Sequence, residues 1–348
     1  MKVGLLALAL LVSTAASAGP QANSSNAQAH LDRGIALYEK GDLDGAVSEL
    51  REAIRLKPDF AEAHKDLGLA LEMKGDSDGA IAQYREALRL KPDFAEAHYN
   101  LGVTLRAKGD LKGAIGEWRD AVRLKPDFAE AHYNLGLALD DKGDLDGAVA
   151  EWRKAIRLKP DDAEAHYNLG GALGGKGDLN GAIAESREAI RLKPDYAEAH
   201  SNLASALVGR GDLEGAIGEY REAIRLKPDD ADAHYNLGIA LDNKGEKQAA
   251  LAEYRKAIRL KPDDADAHTS LGVSLREEGD LDGAVSEYRE ALRLKPDYAG
   301  AHYNLGIALE AKGEKQAALT EYRKASELDS GNEKIRAAYE RLSKELKK

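Results

Sequence analysis

Apart from Pro20, the prolines of this chain stand at one fixed interval: Pro58, Pro92, Pro126, Pro160, Pro194, Pro228, Pro262 and Pro296, each 34 residues after the last. All nine histidines keep the same period, from His30 and His64 through to His268 and His302. Nine units of 34 residues therefore fill 27–332 without an insertion or deletion: 27–60, 61–94, 95–128, 129–162, 163–196, 197–230, 231–264, 265–298 and 299–332. A period of this length marks a tandem array in which each unit is one supersecondary element, too small to bury its apolar face alone and stable only against its neighbours.

Residues 95–128 serve as the type unit. His98, Leu101, Gly102 and Leu105 fall at i, i+3, i+4 and i+7, the stripe of an amphipathic helix. Asp93 is expected as its N-cap with Glu96 as the reciprocal partner, a capping box, and Ser25 with Gln28 as the same pair before the first unit. Lys108-Gly109 stops the helix, because glycine can take the left-handed conformation there. Asp110 is expected to cap a second helix whose apolar side carries Ala114, Ile115, Trp118, Ala121, Val122 and Leu124. Arg123 and Lys125 suit its carbonyl end, and Pro126 terminates it. The last unit ends differently, with Ser330 in the proline position, and 333–348 is expected to form a charged capping helix with Ile335, Tyr339, Leu342 and Leu346 on one stripe.

The N-terminus carries a different signal. Lys2, the apolar run Leu5 to Val12 and the small residues Ala16-Ser17-Ala18 have the layout of a cleavable export signal over 1–18, with the mature chain starting at Gly19. The apolar run is far below the ~20 residues needed to span a bilayer. No cysteine follows it, which removes a bacterial lipid anchor. Residues 19–26 read as a flexible linker. Asn23-Ser24-Ser25 fits a glycosylation acceptor, although a chance match in a polar segment explains it equally simply. The expectation is an exported protein with no membrane insertion after cleavage, periplasmic in a Gram-negative bacterium and secreted otherwise. The absence of cysteine removes disulfides, thiol nucleophiles and zinc–thiolate sites, and a net charge of −11 lacks the basic footprint of a nucleic-acid partner.

The unit resembles the tetratricopeptide repeat family, whose pattern W-x2-L-G-x2-Y…A-x3-F…P is met here as H-x2-L-G-x2-L…A-x3-Y…P. Leu101, Gly102, Ala114, Trp118 and Pro126 carry the match in the type unit, and His98 and Leu105 replace the family's Trp and Tyr. The resemblance implies an all-α fold, a right-handed superhelical α-solenoid of helix–turn–helix repeats whose first helices line a concave groove suited to an extended or helical peptide.

Two columns of that groove are candidate peptide-binding residues. Asn100, Asn134, Asn168, Asn202, Asn236 and Asn304 repeat a weak helix former in mid-helix. A carboxamide offers both a donor and an acceptor to any peptide main chain. In the similar arrays of O-linked N-acetylglucosamine transferases such a ladder holds peptide backbone; the competing reading is an asparagine copied along with the unit. Tyr99, Tyr133, Tyr167, Tyr235 and Tyr303 precede those positions and combine contact area with a hydrogen-bonding tip, suited equally to a ligand or to packing.

Other patterns imitate sites. Metal ligands must converge on one point, whereas equivalent positions of stacked hairpins stand about 10 Å apart, so the histidines read as packing. The aromatics Tyr84, Trp118, Trp152, Tyr220, Tyr254, Tyr288 and Tyr322 read as core. Gly170 to Gly177 imitates a phosphate-binding loop, but Gly177 replaces the required hydroxyl and the segment continues a helix. The glycines, with Ser186, Ser201, Ala204 and Ser205, make units five and six the least regular stretch, where drift, a bend or a specific ligand site all fit. The lysine–asparagine clamp by which some family members hold a C-terminal carboxylate is missing, with Glu96, Glu130 and Glu164 and mostly aliphatic residues such as Leu69, Val103 and Leu137 in its columns. The reading is a non-enzymatic scaffold that needs no cofactor or metal and binds a protein or peptide along the groove. A cell-envelope assembly factor acting through self-association, or a regulatory module of an enzyme complex, are the alternatives.

Overall fold

A computed structural model describes residues 20–347. The expected signal at 1–18 lies outside the described residues. Those residues form helices and short turns and divide into two compact units, with the division between Leu158 and Lys159.

The first unit contains α1 (Pro20–Glu39), α2 (Leu43–Leu56), α3 (Ala61–Met73), α4 (Ser77–Leu90), α5 (Ala95–Ala107), α6 (Leu111–Leu124), α7 (Ala129–Asp141) and α8 (Leu145–Leu158). Each helix packs on the next, and the first helix of a repeat also touches the first helix of the repeat that follows, α1 on α3 and α3 on α5. The second unit contains α9 (Ala163–Gly175), α10 (Leu179–Leu192), α11 (Ala197–Gly209), α12 (Leu213–Leu226), α13 (Ala231–Lys244), α14 (Lys247–Leu260), α15 (Ala265–Glu277), α16 (Leu281–Leu294), α17 (Ala299–Ala311), α18 (Lys315–Leu328) and α19 (Glu333–Glu345). It stacks in the same way, with α9 on α11, α11 on α13 and α15 on α17. This sequence-ordered stacking defines an all-α solenoid.

The hairpin is set by local chemistry. Gly109 has φ +84°, the left-handed conformation that lets the chain turn from α5 to α6. The Asp110 carboxylate then accepts the backbone N–H of Gly113 at 2.8 Å and caps α6. Within the hairpin, a Cβ on Gly102 would come within 2.6 Å of the Trp118 ring, so only glycine lets the two helices approach with an indole between them. Trp118, Trp152, Tyr84, Tyr220, Tyr254, Tyr288 and Tyr322 are all buried, as their spacing requires.

The start of the first helix differs from expectation. Phe94, not Asp93, is the N-cap of α5, and no side chain caps it. Glu96 instead reaches Lys125 on the second helix at 3.1 Å, as Glu62 reaches Lys91 at 3.2 Å. The position of Phe94 varies along the array. Where it is aspartate, at Asp162, Asp230 and Asp264, the carboxylate does cap the helix. Where it is aromatic, the ring packs instead: Phe128 lies 4.8 Å from Tyr99, and the Lys125 ammonium sits 4.8 Å from the Phe128 centroid. Ser25 and Gln28 do not form a cap either, because α1 begins at Pro20 and runs through the segment read as a linker. At the other end Ile335 and Leu342 are buried, but Leu346 falls past the end of α19 and is exposed, so it does not share their stripe.

Candidate peptide-binding groove

The candidate residues lie on the first helices of the repeats, partly covered. Asn100, Asn134, Asn168, Asn202, Asn236 and Asn304 are all half-buried, as are Tyr99, Tyr133, Tyr167, Tyr235 and Tyr303. Asn134 lines a depression with Val103, Arg106, Ala107 and Trp118. Two repeats later, Asn202 lines a second depression with Gly171, Gly174 and Gly175, the positions that correspond to Val103, Arg106 and Ala107. One groove position therefore recurs in both units.

Asparagine and tyrosine act together in this position. The Asn134 amide donates to the Tyr99 hydroxyl at 3.0 Å, so the asparagine of one repeat braces the tyrosine of the repeat before it. In repeat eight Ser270 takes the asparagine position, and Tyr235 meets it at 3.3 Å. The tyrosine rings also pack: Tyr167 lies 4.9 Å from Tyr196, Tyr235 lies 5.9 Å from Tyr254, and Tyr303 lies 5.8 Å from Tyr322. Burial pushes the Tyr99, Tyr167 and Tyr235 hydroxyls above their ordinary range, which keeps them as protonated donors. Part of each column is thus committed to the fold.

Repeat two departs from the asparagine pattern with Asp66, which the sequence reading passed over. Burial raises its pKa, opposed by Lys65 at 2.6 Å. The groove residues Arg106 and Ala107 were also missed. Their signal was available in the spacing, since they follow Val103 by three and four residues and so neighbour it on the helix surface.

The histidines hold the hairpin together. Nδ1 of His98, His132, His166, His200, His234, His268 and His302 lies 2.6 Å from a glutamate carboxylate of the second helix. Nε2 of His98 lies 3.1 Å from the Pro92 carbonyl that ends the preceding repeat, and the other six rings face their prolines likewise. Both ring nitrogens therefore have structural partners. Among the described residues no group of three or more His, Cys, Asp or Glu could hold a metal ion, and no helix is long and apolar enough to cross a membrane.

Sequence-ordered helical hairpins with a recurrent groove on their first helices define this molecule as an α-solenoid repeat protein. Tetratricopeptide repeat models match residues 6–127 and 299–332, and TPR repeat models match 141–313, each in overlapping or single copies. The chain belongs to the tetratricopeptide repeat family. Among solved structures it is similar to YrrB, at 24% identity over 53% of this chain and 95% of that one with a TM-score of 0.51. It is also similar to the Cut9–Hcn1 hetero-tetramer of APC/C, at 17% identity over 83% of this chain and 55% of that one with a TM-score of 0.54. MamA is 30% identical over 47% of this chain and 95% of its own, with a TM-score of 0.45. Among curated proteins, none matches the sequence.

Proposed function

We propose that this chain is a non-catalytic scaffold that binds an extended peptide or protein segment along the groove of its first helices. The observation that carries this reading is the recurrence of Asn134 and Asn202 in depressions at corresponding positions two repeats apart. Carboxamides presented at a repeating interval match the repeating donors and acceptors of a peptide main chain and tolerate varied side chains. YrrB, described as a TPR protein with an unusual peptide-binding site, supports the same direction by its fold. The N-terminal pattern of Lys2, Leu5 to Val12 and Ala16-Ser17-Ala18 places this activity, in our reading, outside the cytoplasm.

The test is the combined substitution Asn100→Ala, Asn134→Ala, Asn168→Ala and Asn202→Ala, with affinity measured for peptides selected from a displayed random library on the wild-type chain. A loss of at least tenfold with unchanged helicity is expected. Unchanged affinity would remove the groove as the binding surface. Expression with an N-terminal leader intact, followed by mass determination of the exported chain, tests cleavage before Gly19.

A further inference from the structure

Repeat five lacks the ring that fills every hairpin around it. At the position on the second helix that faces the close-packed glycine, the array carries Leu50, Tyr84, Trp118, Trp152, Tyr220, Tyr254, Tyr288 and Tyr322, but Ser186 in repeat five. In repeat three a Cβ on Gly102 would lie 2.6 Å from the Trp118 indole, and in repeat seven a Cβ on Gly238 would lie 2.6 Å from the Tyr254 ring. The same point above Gly170 meets only the Ser186 hydroxyl, at 3.0 Å, and backbone.

The surrounding side chains are missing too. Gly171 stands where Ile35, Leu69, Val103, Leu137, Ile239, Val273 and Ile307 stand in every other repeat except the sixth, which has Ser205, and Gly174 stands where repeats two and nine carry the carboxylates Glu72 and Glu310. Those carboxylates accept from the ring hydroxyls of Tyr84 at 2.9 Å and Tyr322 at 2.8 Å. Repeat five has therefore lost both the ring and the groups that cover it. What remains is a cavity of about 200 Å³ that reaches past the groove surface to buried Gly170 and Ala182. In repeat three the equivalent residues, Gly102 and Ala114, do not line the depression above them, because Trp118 stands between.

The Ser186 hydroxyl is 1% exposed and has no hydrogen-bond partner. A buried polar group left unpaired costs about 1–3 kcal/mol and calls for a ligand or a functional reason. At the rim, Ser205 hydrogen-bonds the Tyr220 hydroxyl at 2.8 Å, and Asn202 presents its carboxamide. An apolar cavity of roughly 150 Å³ is enough to take up a benzene ring.

We infer that the cavity of repeat five is a specificity pocket of the groove that receives a tyrosine side chain of the bound peptide. The incoming phenol ring enters beside Gly170 and Ala182, where the other repeats hold an internal ring, and its hydroxyl shares hydrogen bonds with Asn202 or Ser205 at the rim. This inference rests on the groove reading for its peptide, and on the missing ring alone for its cavity.

The experiment titrates p-cresol, with toluene as control, into the full chain and follows amide shifts by nuclear magnetic resonance. p-Cresol is expected to shift residues of α9, α10 and α11. Ser186→Tyr, which restores the ring of the other repeats, is expected to weaken it at least tenfold. Gly171→Leu, which covers the cavity from the groove side, is expected to do the same without touching Ser186. Ser205→Ala is expected to keep toluene and weaken p-cresol at least threefold. No p-cresol binding to the wild-type chain, or binding unchanged in both blocking variants, overturns the pocket. If peptides selected on the wild-type chain lose affinity in the asparagine variant but not in Ser186→Tyr, the pocket falls and the groove reading stands. If p-cresol is blocked as expected while no peptide is selected, the pocket stands and the groove reading falls.

Discussion

His98 on α5 donates from Nδ1 to Oε2 of Glu117 on α6 at 2.6 Å while its Nε2–H donates to the Pro92 carbonyl at 3.1 Å. A neutral imidazole has only one N–H, so both bonds are complete only in the imidazolium form. The ring thus ties the first helix both to its partner and to the end of the repeat before it. Glu117→Ala is expected to cost about 1–3 kcal/mol, the loss of a hydrogen bond to a charged group. Glu117→Gln is expected to cost less than half of that, because Gln83 already serves as the acceptor for His64 in repeat two at 2.7 Å. Urea denaturation of the two variants followed by circular dichroism checks the order.

The same pair gives a pH dependence. Burial works against a charged His98, but the hydrogen bonds to Glu117 and to the Pro92 carbonyl outweigh it, and its pKa is raised above 6.5. A group whose pKa is higher in the folded chain contributes its full stability below the unfolded value and loses it as pH rises through the folded value. The urea midpoint is therefore expected to fall as pH is raised upward from about 6.5. In Glu117→Gln that fall is expected to be shallower. A midpoint that instead rises over this window in the wild-type chain contradicts the assignment.

The variable cap position separates two aspartates that look alike in the sequence. Asp162 accepts the backbone N–H groups of Glu164 and Ala165, each at 3.1 Å, so Asp162→Ala is expected to cost about 1 kcal/mol. Asp93 is exposed one residue before the cap, and Asp93→Ala is expected to change stability by less than about 0.5 kcal/mol. Equal losses in thermal unfolding would contradict the cap placement.

The closing helix makes a similar contrast. Leu342 is 0% exposed, and Leu342→Ala is expected to cost about 2–5 kcal/mol through the cavity it leaves. Leu346 is 40% exposed, and Leu346→Ala is expected to be close to neutral. Arg341 holds this helix to the preceding repeat through two bonds of 2.7 Å to Glu310, whose carboxyl it keeps below the usual range. Hydrogen exchange in α17 and α18 is expected to speed up in Leu342→Ala before it changes in α9 to α12, since repeat arrays loosen from the affected end.

Much of the fold was legible because a period of 34 converts position into geometry. The asparagine and tyrosine columns were visible as repeats, and a fixed register gives them the same position on the first helix of each repeat. Their mutual bond, Asn134 to Tyr99, was not legible, because 35 residues separate them and only stacking brings them together. The histidine–glutamate pairs were also hidden, although Glu stands 19 residues after His in eight of nine repeats. A single hairpin does not reveal which of its charged residues face inward.

By itself, the sequence determined the helical hairpin, its length and its tandem order. Gly109, Asp110 and Pro126 act through local backbone geometry, which is the same in every copy and needs no partner to operate. Only the tertiary structure decided whether Asp93 or Phe94 began the helix, since that choice depends on how the Phe94 ring packs against Ala61, Ala87 and the Lys91 ammonium. It also decided that replacing a ring by Ser186 leaves an open cavity. Packing is settled by how far neighbouring helices relax around a missing side chain, and no local rule carries that information.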